Sequence, residues 1–127
     1  MINIDVKGRE PIYRQIVNQV KEQVARGVLA VDEKIPSVRE LSAEIVVNPN
    51  TVSKAYQELE REGVIVTVRG RGTFIAEPTP GEIMTKDIEN IRKKVKQVVL
   101  EGHYAGIDRE VMRDWVSCYY NQFGGKS

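Results

Sequence analysis

Apolar residues recur at helical spacing in three segments of the N-terminal half of the chain. The first segment runs from Pro11, which suits a first helical turn, to Gly27, which suits a left-handed helix end. The second follows Ser37, and Glu40 stands three residues later, as in a capping box. The third runs from about Asn50 to Glu62. The pattern therefore predicts three helices, the last two separated by a break of about four residues.

The third predicted helix has two contrasting faces. Its apolar stripe consists of Val52, Ala55, Tyr56 and Leu59. The opposite face begins with small hydrogen-bonding side chains and one cation, namely Asn50, Ser53, Lys54 and Gln57. Pro49 disfavours a helical conformation at Asn48 and so separates this helix from the one before it. Two short helices joined by a tight turn, with a polar face at the start of the second, are typical of a helix-turn-helix.

After Gly63 the helical spacing gives way to short runs of β-branched and aromatic residues. "VIVTV" and "TFIA" are joined by "RGRG", which predicts a two-stranded hairpin whose glycines take positive φ angles. A strand pair directly after a helix-turn-helix makes a winged helix. The sequence thus predicts a mainly α fold with a small β-hairpin, and we expect Tyr56 and Phe74 to lie in its core.

The charge of the hairpin differs from that of the whole chain. The 127 residues include 19 Lys and Arg against 18 Asp and Glu, so net charge provides no general attraction to nucleic acid. Residues 64–76, by contrast, contain Arg69 and Arg71 and no acid. An arginine on a thin glycine loop can enter a narrow minor groove, where the negative potential of DNA is strongest. The local charge therefore favours DNA as a partner.

The Pro-rich segment "EPTPGE" predicts a linker between a winged-helix domain at residues 1–77 and a second region at residues 78–127. Beyond it, apolar residues recur at spacings of four and three, and five of the eight aromatic side chains lie in the final 24 residues, which include a further helix from about Asp108 to Phe123. Two helices alone bury too little of this surface, so we expect a dimer interface. Its expected members are Met84, Ile88, Ile91, Val95, Val98, Trp115 and Tyr119. Packing of these residues back onto the winged-helix domain is the alternative.

Four segments resemble the GntR family of bacterial transcription regulators: "PIYRQIVNQVKEQVARGVL", "IPSVRELSAE", "NPNTVSKAYQELEREGVI" and "RGRGTF", within residues 11–75. The chain length resembles the short YtrA-like subgroup, in which two helices replace a large effector domain. The resemblance implies an N-terminal winged helix-turn-helix followed by a C-terminal two-helix dimerisation hairpin. Val46 and the pair Val31-Asp32 depart from the glycine-containing turns that are common in the family, which leaves the geometry of these two loops open.

The resemblance also implies which residues contact DNA. Arg39 corresponds to an arginine that holds the phosphate backbone and approaches a base; an ion pair with Glu40 or Glu44 is the alternative. The expected entrance of the recognition helix into the major groove consists of Asn48, Pro49, Asn50, Thr51, Ser53 and Lys54. The expected minor-groove contacts are Arg69, Gly70 and Arg71. Ser37 is expected to cap its helix and to touch a phosphate, since helix N-termini suit anions.

These patterns predict a sequence-specific DNA-binding transcriptional regulator, a repressor, that binds a pseudo-palindromic operator as a homodimer. The alternative from another class is a winged-helix module that binds proteins without binding DNA. An enzyme is not predicted, because the sequence contains no Ser/His/Asp set, no evident carboxylate pair and no P-loop pattern.

We expect no cofactor and no metal. One histidine, His103, and one cysteine, Cys118, predict neither a zinc site nor an internal disulfide. The N-terminus lacks a signal-peptide pattern, and no apolar run is long enough for a membrane span, so we expect a cytoplasmic protein without membrane contact. An unknown small-molecule effector is a further possible partner. An interface pocket lined by Trp115, Tyr119 and Tyr120 is one site for it, and packing of these aromatic residues in the core or the dimer interface is the alternative that the sequence favours.

Overall fold

The computed structural model describes residues 2–77 and 85–124, with side chains from residue 87 onward in the second range. The chain forms two compact units, Met1–Pro78 and Thr79–Ser127. The fold is mainly helical with one small antiparallel sheet, as the sequence predicted. In chain order its elements are α1 (Ile12–Ala25), β1 (Lys34–Ile35), α2 (Val38–Ile45), α3 (Pro49–Arg61), β2 (Ile65–Val68), β3 (Gly72–Ile75), α4 (Thr85–Tyr104) and α5 (Arg109–Gln122).

The helix boundaries of the first unit follow local sequence signals. At α2 the capping box is formed: the Ser37 side chain accepts from the Glu40 backbone N–H, and the Glu40 carboxylate accepts from the Ser37 backbone N–H. At α3, Asn48 is the N-cap and has the predicted non-helical conformation. The helix begins at Pro49, one residue earlier than predicted, because proline at the first helical position lacks only an N–H that would have no intrahelical partner.

The sheet has three strands rather than the predicted two. β1 pairs with β3, so the strand order is β1-β3-β2. Ile35, Ile65 and Ile75 are buried on the inner face of this sheet. Phe74 belongs to the outer face, paired with Lys34 and Val66, and is only half-buried. Its expected place in the core is therefore wrong, because side chains alternate along a strand and both neighbours of Phe74 point inward.

The core of the first unit lies between α1, α2, α3 and the inner face of the sheet. Its largest fully buried side chains include Ile16, Leu41, Leu59 and Ile75. Tyr56 is buried as expected, and its hydroxyl donates to the Pro36 carbonyl at 2.6 Å. Burial raises the pKa of Tyr56 to about 12. This hydrogen bond joins the middle of α3 to the segment just before α2. It therefore helps to hold the start of α2 close to α3.

Both loops that depart from the family pattern use a left-handed residue other than glycine. Val46, the C-cap of α2, has φ 53° and ψ 54°, and Asp32 has φ 68°. A β-branched residue is strained in this region, where glycine is not. The helix-turn-helix turn thus keeps the backbone path that glycine would supply, at a cost in stability.

We expect Val46→Gly to raise the free energy of unfolding by about 0.5–1 kcal/mol. The Val46 side chain is 88% exposed, so its removal loses little burial, and the gain from relieving the left-handed strain exceeds the added flexibility of the unfolded chain. Urea denaturation followed by circular dichroism measures the change. Val47→Gly is the matched control and should destabilise, because Val47 packs against the core and has no positive φ. An unchanged or lower stability of Val46→Gly would contradict this account of the turn.

The second unit consists of α4 and α5, joined by a turn in which Gly106 has φ 79°. Asp108 is the N-cap of α5, as predicted, and accepts from the Val111 backbone N–H at 3.0 Å. The two helices do not pack along their lengths. They meet beside the turn, where the lack of a side chain on Gly102 leaves room for Met112. Over their described residues, the two helices thus form no closed core between them.

The apolar side chains of the second unit are exposed. The expected interface residues that the structure describes are each about half exposed: Ile88, Ile91, Val95, Val98, Trp115 and Tyr119. Met84 lies outside the described residues. Among residues 2–77 and 85–124, every helix is too short or too polar to span a lipid bilayer.

Candidate nucleic-acid interface

The start of α2 exposes one arginine whose charge is not neutralised nearby. Arg39 is exposed and forms no ion pair with any described residue, although Glu40 and Glu44 are close in sequence. The Glu40 carboxylate is instead held in the capping box, where hydrogen bonds from Ser37 lower its pKa. The alternative of a surface ion pair at Arg39 is therefore wrong for the described part of the chain. Ser37 is exposed at the same helix end.

The start of α3 presents polar groups around a capped helix end. The Asn48 side-chain oxygen accepts from the Asn50 backbone N–H at 2.8 Å, so one amide oxygen is committed to the cap. Asn48, Pro49 and Asn50 are exposed, and Thr51 is partly exposed. The cap fixes the end of α3, whose first backbone N–H groups and amide side chains can donate to phosphates and base edges.

One turn further along α3, Lys54 contacts α1. Its ammonium lies 4.0 Å from the centroid of the Tyr13 ring, a cation–π arrangement that restricts where the charge can reach. Ser53 accepts a long hydrogen bond from Gln57 at 3.4 Å. Sequence reasoning did not identify Tyr13 as part of this surface, because the contact joins residues far apart in the chain. The signal that exists is a partly exposed aromatic residue near the start of an otherwise aliphatic amphipathic helix.

The other end of α3 is acidic, and two of its glutamates, Glu58 and Glu62, form ion pairs within the protein. Glu58 forms an ion pair with Arg61, whose hydrogen bond lowers the pKa of Glu58 to about 2. Glu62 pairs with Lys21 of α1 at 2.6 Å. These paired acids lie at the end of α3 opposite its exposed polar N-terminal turn.

The tip of the β2–β3 hairpin is shaped by its glycines. Gly70 has φ 81° and Gly72 has φ 123°, and the Arg71 backbone N–H donates to the Val68 carbonyl at 2.9 Å. The turn projects Arg69 and Arg71 into solvent, and neither forms an ion pair with a described residue. The hairpin therefore carries two exposed cations on a narrow, glycine-rich tip.

An open hollow of about 480 Å³ connects this tip with the start of α2. It brings together Lys34, Ser37, Glu40, Arg69, Gly70 and Arg71, among others. Ser37 and the three wing residues singled out by the sequence are thus placed beside one another. Arg39 and the first turn of α3 do not line this hollow. Lys34 also lines it and was missed, because the strand that carries it is only two residues long.

Among the described residues of the second unit, Met112 lines an open hollow of about 260 Å³ and another of about 470 Å³. Trp115 lines the smaller hollow. Tyr119 and Tyr120, which were expected to line an effector pocket together with Trp115, line neither hollow. The described residues contain no group of three His, Cys, Asp or Glu side chains arranged to hold a metal ion.

Comparison with known proteins identifies the winged-helix segment. Residues 12–75 match the model of bacterial regulatory proteins, gntR family. The chain is 47% identical to the HTH-type transcriptional repressor YtrA of Bacillus subtilis (strain 168) over 116 residues, which are 91% of this chain and 89% of the relative. Both units are therefore included in the similarity, as the expected likeness to the short YtrA-like subgroup requires.

The solved structures that this chain resembles are also of transcription regulators. The crystal structure of a transcriptional antiterminator from Listeria monocytogenes EGD-e has a TM-score of 0.86 and 47% identity, with 100% of this chain and 96% of that chain covered. AraR(DBD) in complex with operator ORX1 has a TM-score of 0.54 and 29% identity, with 59% of this chain and 96% of that chain covered. These relatives are regulators rather than enzymes. By its fold, its winged-helix sequence and its similarity over nearly the full length, the chain belongs to the gntR family of bacterial regulatory proteins.

Proposed function

We propose that this protein is a sequence-specific DNA-binding transcriptional repressor that binds a pseudo-palindromic operator as a homodimer. The observation that carries the proposal is the match of residues 12–75 to the gntR family, because this segment contains α2, α3 and the hairpin. Arg39, Arg69 and Arg71 of this segment are exposed and form no ion pair with a described residue. AraR(DBD), which resembles this unit, is in complex with an operator. The alternative of a protein-binding module without DNA has no comparable observation in its favour.

Each element of the winged helix contacts a different part of the DNA, as its side chains indicate. The start of α3 enters the major groove, where amide and hydroxyl side chains discriminate base edges. Arg39 at the start of α2 contacts the phosphate backbone beside it and approaches a base. The wing tip enters the minor groove through Arg69 and Arg71, and Gly70 keeps the tip thin enough to fit. Tyr13 limits the reach of Lys54, and this exposed ammonium contacts a phosphate beside α3.

Dimerisation follows from the exposed apolar side chains of α4 and α5. In one chain these two helices do not pack along their lengths. The apolar residues of α4 and α5 that were expected at the interface are about half exposed. A second copy of the chain therefore covers them in the dimer. A two-fold symmetric pair presents two α3 helices to half-sites about one helical turn apart. The protein acts in the cytoplasm, where the operator lies.

Regulation would act through the angle between the two DNA-binding units. The smaller hollow beside Met112 is below the ~300 Å³ that a typical ligand pocket occupies, and the larger is open. A small-molecule effector that bound these hollows would therefore need the second chain to complete its site, and would act on the dimer interface directly.

Replacing both wing arginines tests the proposal. We expect Arg69→Ala with Arg71→Ala to lower affinity for duplex DNA by about tenfold or more at low salt, because each dimer loses four cations. The slope of log affinity against log salt concentration should fall by roughly three to four. Fluorescence anisotropy across a salt series measures both quantities.

Arg26→Ala is the matched control for the wing variant. Arg26 is exposed at the end of α1, about 20 Å along the helix from Tyr13, and should leave binding unchanged. Equal binding by the wild type and the wing variant at every salt concentration would contradict the role of the wing, and a wild type that does not bind duplex DNA would favour the protein-binding alternative.

A further inference from the structure

The outer face of the sheet carries a lysine that the sequence patterns did not single out. β1 places Ile35 inward and Lys34 outward, and the register pairs Lys34 with Phe74 and Ile35 with Thr73. Side chains of paired residues share a face in an antiparallel ladder. Lys34 therefore lies on the outer face, opposite Phe74. Gly72 is two residues before Phe74 in β3, so it lies on the same face.

The missing side chain of Gly72 opens the path that Lys34 takes along this face. A Cβ at Gly72 would stand 2.8 Å from Lys34 Cε, 3.5 Å from Nζ and 3.8 Å from Cδ. The end of the lysine stem thus lies across the glycine, directed toward the hairpin tip. Because Gly72 pairs with Val68, the last residue of β2, the ammonium is carried to the base of the turn that holds the two arginines.

The charge of Lys34 is not neutralised by an ion pair with any described residue. It lines the same hollow as Ser37, Arg69 and Arg71. The acid of that hollow, Glu40, is held by hydrogen bonds from Ser37, which are the main cause of its lowered pKa; the positive charge of Lys34 lowers it further. The hollow thus has three cations, a capped helix start and one acid already engaged.

We propose that Lys34 is a further DNA-contacting residue, which binds a backbone phosphate at the base of the wing while Arg69 and Arg71 occupy the minor groove. This inference rests on the proposed function, since it assigns a residue to the same DNA surface. A phosphate that borders the minor groove lies beside any side chain inserted there, so a cation at the base of the hairpin meets the backbone when the tip enters the groove. Contacts of this kind add affinity and register without sequence preference.

The test compares Lys34→Met, Lys34→Arg and wild-type protein in binding to mixed-sequence duplex DNA. Methionine keeps an apolar stem over Gly72 and removes only the charge. We expect Lys34→Met to bind about tenfold more weakly at low salt and to lower the salt slope by about two per dimer, because two phosphate contacts are lost. Lys34→Arg should restore the slope. Lys21→Met, which removes a lysine paired with Glu62, is the matched control and should keep the wild-type slope.

The outcomes separate this inference from the function it rests on. If Lys34 only stabilises the hollow by facing Glu40, Lys34→Met will change the melting temperature and leave the salt slope unchanged, which would overturn the assignment. If the wild type binds and the wing variant loses affinity while Lys34→Met keeps the wild-type slope, the assignment of Lys34 alone is wrong. If the wild type does not bind duplex DNA, the proposed function itself is wrong.

Discussion

Replacing Arg39 by alanine is expected to weaken operator binding by about thirtyfold or more while the fold stays intact. A well-placed arginine at a base edge contributes about 1–3 kcal/mol, and a two-fold symmetric dimer loses two of them at once. Arg39 is exposed and none of the described acids forms an ion pair with it, so the substitution breaks no internal contact that would unfold α2. Titration of a labelled operator duplex measures the loss, and circular dichroism checks the fold.

Two companion variants show what Arg39 does. Arg39→Lys keeps the charge but loses the planar fork, so it should recover phosphate binding while discrimination between operator and unrelated DNA stays low. Arg26→Ala should match the wild type. Operator affinity within twofold of the wild type for Arg39→Ala would contradict its role, because the surface would then bind equally well without this cation.

The apolar seam of α4 consists of Ile88, Ile91, Val95 and Val98, and charge placed in it is expected to separate the dimer. Ile91→Glu with Val95→Glu puts two carboxylates per chain where apolar side chains, 58% and 56% exposed in one chain, would meet their copies. Burying an unpaired charge at such a surface is strongly unfavourable. We expect a monomer by light scattering, and operator affinity lower by about a hundredfold or more, since the second half-site is no longer held at high effective concentration.

The seam variant also separates the two interpretations of this surface. Lys93→Glu, on the opposite side of α4 by helical spacing, is the control and should remain dimeric. If the seam packed back onto the winged helix of its own chain, the double variant would lose thermal stability with no change in mass. A wild-type protein that is monomeric at all concentrations would contradict the dimer.

Local signals in the sequence were sufficient to predict the starts of α2, α3 and α5. The capping box at Ser37, the Asn48 break and the Asp108 cap each depend on residues within one turn, so their pattern predicts their structure. The same holds for the hairpin, because its glycines are placed where the turn needs positive φ. These features predict the elements that present Arg39, Asn50 and Arg71.

Contacts between distant segments were not predictable in this way. β1 has two residues, too few to show an alternating pattern, and becomes a strand only by pairing with β3. Which face of the sheet the Phe74 side chain occupies depends on the register of the strands, and amino-acid composition does not determine that register. The Lys54–Tyr13 contact joins α3 to α1, and the path of Lys34 over Gly72 joins β1 to β3. The spacing of residues along the chain predicts neither contact, although these contacts determine where the charges of Lys54 and Lys34 lie.

The most direct measurement of the central claim is selection of bound duplexes from a random pool by the purified full-length protein. If α3 and the wing form one DNA-reading surface on each protomer of a symmetric dimer, the enriched site will consist of two inverted half-sites with centres about 10 base pairs apart. The same selection with Arg39→Ala should lose the enriched bases of the half-sites. A single asymmetric motif, or no enrichment by the wild type, would contradict the account.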